Sequence, residues 1–174
     1  IGLPTNAQHQ LDTSGLTQLD QTAVVLTAGT VATGTIDSLT RPAGAAWVHV
    51  DAAWAGPMRL TDRLSHRLDG IEEADSVGFS AHKWLYQPKG SAMVMFRNAE
   101  AAHDALSYGG GYLATPNIGL LGSSPAVAVP LAAMLLSWGK TGLAKRIESD
   151  MAKADQLAEL IKSDSRFRLW GPNQ

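Results

Sequence analysis

One short stretch limits the fold more than any other. Ala23 to Ala28, AVVLTA, is an unbroken apolar run stopped by Gly29. Six residues are too few for a stable buried helix, and β-branched residues favour extension. The run therefore predicts a strand buried on both faces, as strands are inside parallel sheets. WVHVDAA, Trp47 to Ala53, reads as a second strand and SVGFSA, Ser76 to Ala81, as a third. SAMVMFR, Ser91 to Arg97, reads as a fourth, joined to the third by a hairpin-like turn at QPKG. Between the first two, TGTIDSLTRPAGAA reads as a loop with at most a short helix. Between the second and third, MRLTDRLSHRLDGIEEA spaces its leucines as a helix would. Strand, link, strand, helix, strand is the order of an α/β domain with a mostly parallel sheet flanked by helices. Ligands of such sheets sit at the carboxyl ends of the strands.

The last third differs. YGGGYLATPNIGLLGSS is glycine-rich and irregular. Ser124 is expected to start a helix running to about Trp138, with Pro125 in its first turn. GKTG breaks it, and Gly142 to Lys162 follows as an amphipathic helix with Leu143, Ile147, Met151, Ala154, Leu157 and Ile161 along one face. The apolar run Ala126 to Leu136 is too short to span a bilayer and contains Pro130, so it reads as a buried helix segment. The start, IGLPTNAQHQLD, lacks the charged-then-apolar pattern of a signal peptide. Both ends fall in mid-element, so the 174 residues are expected to be a piece of a longer polypeptide.

Net charge is −2 and basic residues are scattered, which disfavours nucleic acid and anionic membrane as partners. Without cysteine there is no disulfide scaffold, thiolate metal site or thiol nucleophile, and a cytoplasmic setting fits. His9, His49, His66 and His103 show no ligand spacing, so no metal is expected.

The chemistry collects at the strand ends. The first strand ends in Thr27-Ala28-Gly29-Thr30, the second in Asp51-Ala52-Ala53, the third in Ser80-Ala81-His82-Lys83. Asp51 and Lys83 are 32 residues apart, enough for one crossover and one strand, which puts a carboxylate and an amine on neighbouring strands. An amine in an apolar site loses solvation and becomes a nucleophile toward aldehydes. Pyridoxal phosphate uses such a lysine, and needs a carboxylate to keep its ring nitrogen protonated. Strand alternation would point Asp51 and Ala53 the same way, one toward the ring nitrogen and one under the ring. Each feature alone has a plainer use, as a turn, a cap or a solvated charge.

With HVDAA and HKW at this spacing, the chain resembles the group II pyridoxal-phosphate-dependent amino acid decarboxylases. The resemblance rests on TAGTVATGTID, WVHVDAAWAGPMRL and ADSVGFSAHKWLYQPKGSAMVMFR, and extends through GLLGSSPAVAVPLAAMLLSWGKTGLAKRI. It implies part of the large domain of a fold type I pyridoxal-phosphate enzyme. Residues 1–122 would belong to that cofactor-binding domain, and 123–174 would be helices leading to a C-terminal small domain. It implies that Lys83 bonds the cofactor aldehyde, Asp51 holds the pyridine nitrogen and Ala53 contacts the ring. His82 would lie by the cofactor near that linkage and the phosphate. Ser80 would replace a phosphate-binding residue, and Thr30 would lie near the ring. It implies a homodimer with shared active sites, in which Ser123 and Ser124 reach the partner's cofactor phosphate; Ser124 serves equally well as a helix cap. The activity implied is that of a carboxy-lyase, turning an L-amino acid into an amine and carbon dioxide.

Three features depart from the family pattern. Its phosphate loop and ring-stacking histidine would precede this chain. The crossover SLTRPAGAA is shorter than a full helix, and a shortened parallel connection is expected to be strained. Tyr108 and Tyr112 do not stand clearly where a loop tyrosine would protonate the product. Another fold type I reaction, transamination or a lyase step, and a non-catalytic fragment of the fold are the alternatives.

Overall fold

The structure, a computed structural model, describes residues 2–109, 117–118 and 126–170. Four strands form one sheet in chain order: β1 (Ala23–Thr27), β2 (Trp47–Asp51), β3 (Ser76–Ser80) and β4 (Ala92–Phe96). β1, β2 and β3 run parallel, and β4 returns antiparallel to β3 as the QPKG turn predicts. Helix α1 (Ala99–Leu106) follows, then a two-residue pairing of β5 (Ser107–Tyr108) with β6 (Asn117–Ile118), and α2 (Ala128–Ser163).

One side of the sheet holds the core. Val24, Leu26, Val48 and Val50 pack there with Ala52, Met58, Leu64, Leu68 and Ile147. Along β1 buried and exposed residues alternate, and Val25 is 55% exposed. This corrects the expectation of burial on both faces: among the described residues β1 is covered on one side. The other face carries Val25 and Thr27 on β1, Trp47, His49 and Asp51 on β2, and Ser76, Gly78 and Ser80 on β3, as the register aligns them.

The span from Met58 to Glu73 is not an α-helix. It is three short 3-10 turns, Gly56–Leu60, Ser65–Leu68 and Ile71–Glu73. Of the leucines the spacing singles out, Leu64 and Leu68 are buried, and Met58 and Thr61 are buried beside them. Local bonds interrupt the helix: the Thr61 hydroxyl donates to the Met58 carbonyl at 3.0 Å and accepts the Leu64 amide at 3.1 Å.

The β1–β2 connection has no helix either. It folds back as a tongue, pairing Ala28 with Ile36. Asp37 locks it: its buried carboxylate accepts the Leu11 amide at 2.7 Å and the Thr27 amide at 2.8 Å. Side-chain bonds replace the absent crossover helix.

α2 bends at Gly139, whose φ of 59° and ψ of −177° break the helix where GKTG predicts a break. The helix begins at Ala128, later than the expected Ser124, and Pro130 is tolerated in its first turn, where amides lack helical partners. The expected burial holds only in part. Leu131, Met134, Leu143 and Ile147 are buried, while Leu136 is 87% and Leu157 is 58% exposed. The apolar stripe leaves the core along the second arm.

Asp75, just before β3, ties the sheet to the loops. Arg41 Nη1 donates to its carboxylate at 2.6 Å and the Val48 amide does so at 2.7 Å. Burial pushes its pKa up, but the Arg41 and Val48 hydrogen bonds and the charges of Arg41 and Arg97 outweigh this and hold it below the ordinary 3.8. A depressed folded pKa adds stability that is full above about 3.8 and is lost as the pH falls through the lower folded value. Asp75→Asn is expected to cost about 1–3 kcal/mol near neutrality and to flatten the acid limb of the stability curve. Urea melts from pH 7 to pH 3 measure both; an unchanged acid limb would show that Asp75 does not drive it.

Candidate functional site

The three parallel strands end level. The register aligns Thr27 with Asp51 and Asp51 with Gly78, and the ladder runs one residue further, with Ala28 N to Asp51 O and Ala52 N to Gly78 O both at 2.8 Å. Ser80, two residues past Gly78, lies on the same face as Asp51. The Asp51 carboxylate is exposed and accepts the Ala53 amide at 3.0 Å. That bond turns the chain out of the strand at Asp51, so Ala53 lies beyond β2. Strand alternation therefore does not set the direction of Ala53, contrary to the expectation from sequence.

Lys83 sits in a tight turn after β3. Its amide donates to the Ser80 carbonyl at 3.2 Å, and its ammonium lies 4.4 Å from the centre of the Trp54 ring. His82 is held from two sides. Its backbone amide donates to the Ser91 carbonyl at 3.3 Å, and ring Nδ1 lies 3.1 Å from the same oxygen. A carbonyl oxygen only accepts, so Nδ1 carries the hydrogen and a neutral ring keeps a free lone pair on Nε2.

Thr30 is largely committed to its own loop. Its hydroxyl is 2.8 Å from Thr33 Oγ1 and accepts the Thr35 amide at 3.1 Å. The loop also walls a cavity of about 300 Å³, lined by Thr30, Trp54, Met58, Arg67, Trp84 and Met151. Ser123 and Ser124 lie outside the described residues, as does Tyr112.

Sequence reasoning missed one neighbour of the lysine. Trp54, three residues past Asp51, supplies the ring under the amine. Gly29 lets Trp54 come close. It has φ +95°, and a β-carbon there would lie 3.1 Å from Trp54 Cβ and 3.2 Å from the Ala55 amide nitrogen. Gly29→Ala is expected to destabilise the protein by about 1–3 kcal/mol and to displace Trp54. Denaturant midpoints and tryptophan fluorescence test this, and unchanged values would show that the turn yields freely. A glycine directly after a buried strand was the available signal. His49, read from the sequence as an ordinary packing residue, bonds Ser76 Oγ through Nδ1 at 2.7 Å and lies over Gly78.

Pyridoxal phosphate can be weighed against this donor set. Among the described residues Lys83 and Asp51 are in no ion pair, with each other or with another side chain. An amine for an aldehyde and a carboxylate for a ring nitrogen thus stand free of ion pairs at adjacent strand ends. Gln87, four residues past Lys83 and 9% exposed, keeps its Oε1 buried without a hydrogen-bond partner. Lys83 and Asp51 fit the lysine and ring-nitrogen half of the cofactor.

Comparison with known proteins agrees with the fold. The family described as the pyridoxal-dependent decarboxylase conserved domain matches residues 6–173. Aspartate 1-decarboxylase of Aliivibrio fischeri is 35% identical over 158 residues, covering 84% of this chain and 29% of that protein. Aromatic-L-amino-acid decarboxylase of Catharanthus roseus is 31% identical over 172 residues, covering 91% and 34%. A crystal structure of Oryza sativa TDC with PLP and tryptamine superposes with a TM-score of 0.74 at 26% identity, covering 88% of this chain and 34% of that one. The chain spans about a third of the length of the curated relatives it matches.

Proposed function

Because this chain belongs to the pyridoxal-dependent decarboxylase family, we propose that the complete protein removes the α-carboxylate of an L-amino acid as carbon dioxide and releases the amine. One observation carries the reading: the Lys83 amine and the Asp51 carboxylate stand on neighbouring strand ends, free of ion pairs among the described residues. In the reaction one carbon–carbon bond breaks, one carbon–hydrogen bond forms and one proton is consumed.

Bound pyridoxal phosphate would supply an aldehyde to join an amine and a protonated ring to accept the electron pair left by the departing carboxylate. Lys83 would be the attachment point, and its amine must lose a proton before it attacks. The Trp54 face beside it is apolar and excludes water from one side of that amine. Asp51 would hold the ring nitrogen's proton by charge, with its orientation set by the Ala53 amide. His82, its Nδ1 fixed by Ser91, would present Nε2 to move a proton. Ser80, on the Asp51 face, would donate a hydroxyl to the phosphate, and Ala53 and Thr30 would border the ring.

Residues 1–122 are proposed as part of a cofactor-binding large domain and 123–174 as the link toward a small domain. We read the complete protein as a cytoplasmic homodimer with Ser123 and Ser124 facing the partner's site. No helix among the described residues is long and apolar enough to cross a membrane. Incubation of the complete protein and cofactor with carboxyl-¹³C amino acids tests the activity. Labelled carbon dioxide and amine in equal amounts are expected; keto acid with the label retained would replace this reading by transamination.

A further inference from the structure

A side-chain hydrogen bond ties the turn that carries Lys83 to α2. Tyr86 follows Lys83 by three residues, and its amide donates to the Lys83 carbonyl at 3.3 Å. Its φ is +56°, a left-handed conformation in which any β-carbon crowds the backbone. Glycine would adopt it at lower cost, so a tyrosine here points to a use for its side chain. That side chain reaches across 64 residues of sequence. The hydroxyl donates to Asp150 Oδ2 at 2.5 Å, and the ring meets Trp138 edge-on at 5.9 Å between centres.

The acceptor is itself held. Lys153 donates to the other Asp150 oxygen at 3.0 Å, and the Arg146 guanidinium lies 3.9 Å over the Trp138 ring. The hydrogen bond to Asp150 first, then burial and the Asp150 charge, raise the Tyr86 pKa, while the Tyr86 and Lys153 bonds lower that of Asp150. Both directions keep a neutral donor facing a charged acceptor. On the same turn Ala81 and Leu85 are buried in one cluster with Leu131, Met134 and Leu143, from both arms of the bent helix. Packing alone presses the turn against α2, but non-directional contacts leave it free to slide. The Tyr86–Asp150 bond is directional and removes that freedom.

We propose that Tyr86 is a positioning residue: its hydrogen bond to Asp150 locks the Lys83 turn to the arm of α2 beyond the Gly139 bend and so sets the direction of the Lys83 amine. The function of the lock rests on the reading of Lys83 as the cofactor lysine; its existence does not.

The test uses the complete protein in wild-type, Tyr86→Phe, Asp150→Asn and double-variant forms. Hydrogen exchange is followed first without cofactor. Each single variant is expected to speed exchange of the amides from Lys83 to Gln87 about tenfold, with exchange in β1 and β2 unchanged as the control for folding. The double variant should match the singles, because both remove the same bond. Unchanged exchange in that turn, or a hundredfold multiplied effect in the double variant, overturns the proposal. The second readout is the induced circular dichroism of bound pyridoxal phosphate, expected to fall severalfold in both singles. An unaltered signal with loosened exchange would overturn the positioning role and leave the tether merely structural. Absence of a borohydride-fixed label on wild-type Lys83 would instead sink the cofactor reading, while the exchange result still decides the lock.

Discussion

Lys83→Ala will abolish the borohydride-fixed attachment of pyridoxal phosphate and lower amine formation by the complete protein at least about a thousandfold. The size of the effect follows from the lack of a substitute. Lys89, the next lysine along, is exposed beyond the turn, past Tyr86 and Pro88. The fold should survive the change. The Lys83 side chain makes no hydrogen bond or ion pair among the described residues and rests on the Trp54 ring, a contact worth about 0.5–1 kcal/mol at a partly exposed site. A variant that melts as the wild type does but neither binds label nor forms amine is the expected result. Label on another lysine at the wild-type rate would remove Lys83 from the mechanism.

Asp51→Asn should be the next most damaging change, lowering kcat about 10²–10³-fold with stability altered by no more than about 0.5 kcal/mol. Asparagine keeps the shape and can still accept the Ala53 amide through its oxygen. What it loses is the charge that would keep a ring nitrogen protonated. The carboxylate is exposed, and its hydrogen bond to the Ala53 amide lies within its own turn, so the fold has little to lose. Substrate affinity should change far less than turnover, because the charge matters most where electrons move into the ring. Equal losses in kcat/KM and in melting temperature would show instead that Asp51 is a turn residue.

Much of this site could be read in the sequence, for a definite reason. Strand ends are marked by where an apolar run stops, and in a parallel sheet the same ends of successive strands lie together. Thr27, Asp51 and Ser80 could therefore be placed on one edge without coordinates, and the register puts them there. The antiparallel return of β4 and the break at Gly139 were legible for a similar reason, since each depends on a local turn.

Other features were not legible because the signal is shared by two structures. AVVLTA is equally apolar whether one face is covered or two, and only the second layer decides. A spacing of three and four marks an inward stripe in an α-helix and in linked 3-10 turns alike, so Leu64 and Leu68 gave the right burial and the wrong conformation. Ala53 left the strand because the Asp51 carboxylate captured its amide, a competition of a few ångströms that pattern does not register.

The sequence by itself determined which chemical groups stand at the strand ends, because apolar runs, turns and strand order are local properties of the chain. The tertiary structure alone decided what surrounds them. It placed Trp54 under the Lys83 amine, set Asp37 between two distant backbone amides, and brought Asp150 to Tyr86. These pairings join residues far apart in sequence or across turns, and their geometry exists only once the sheet, the tongue and the bent helix have packed together.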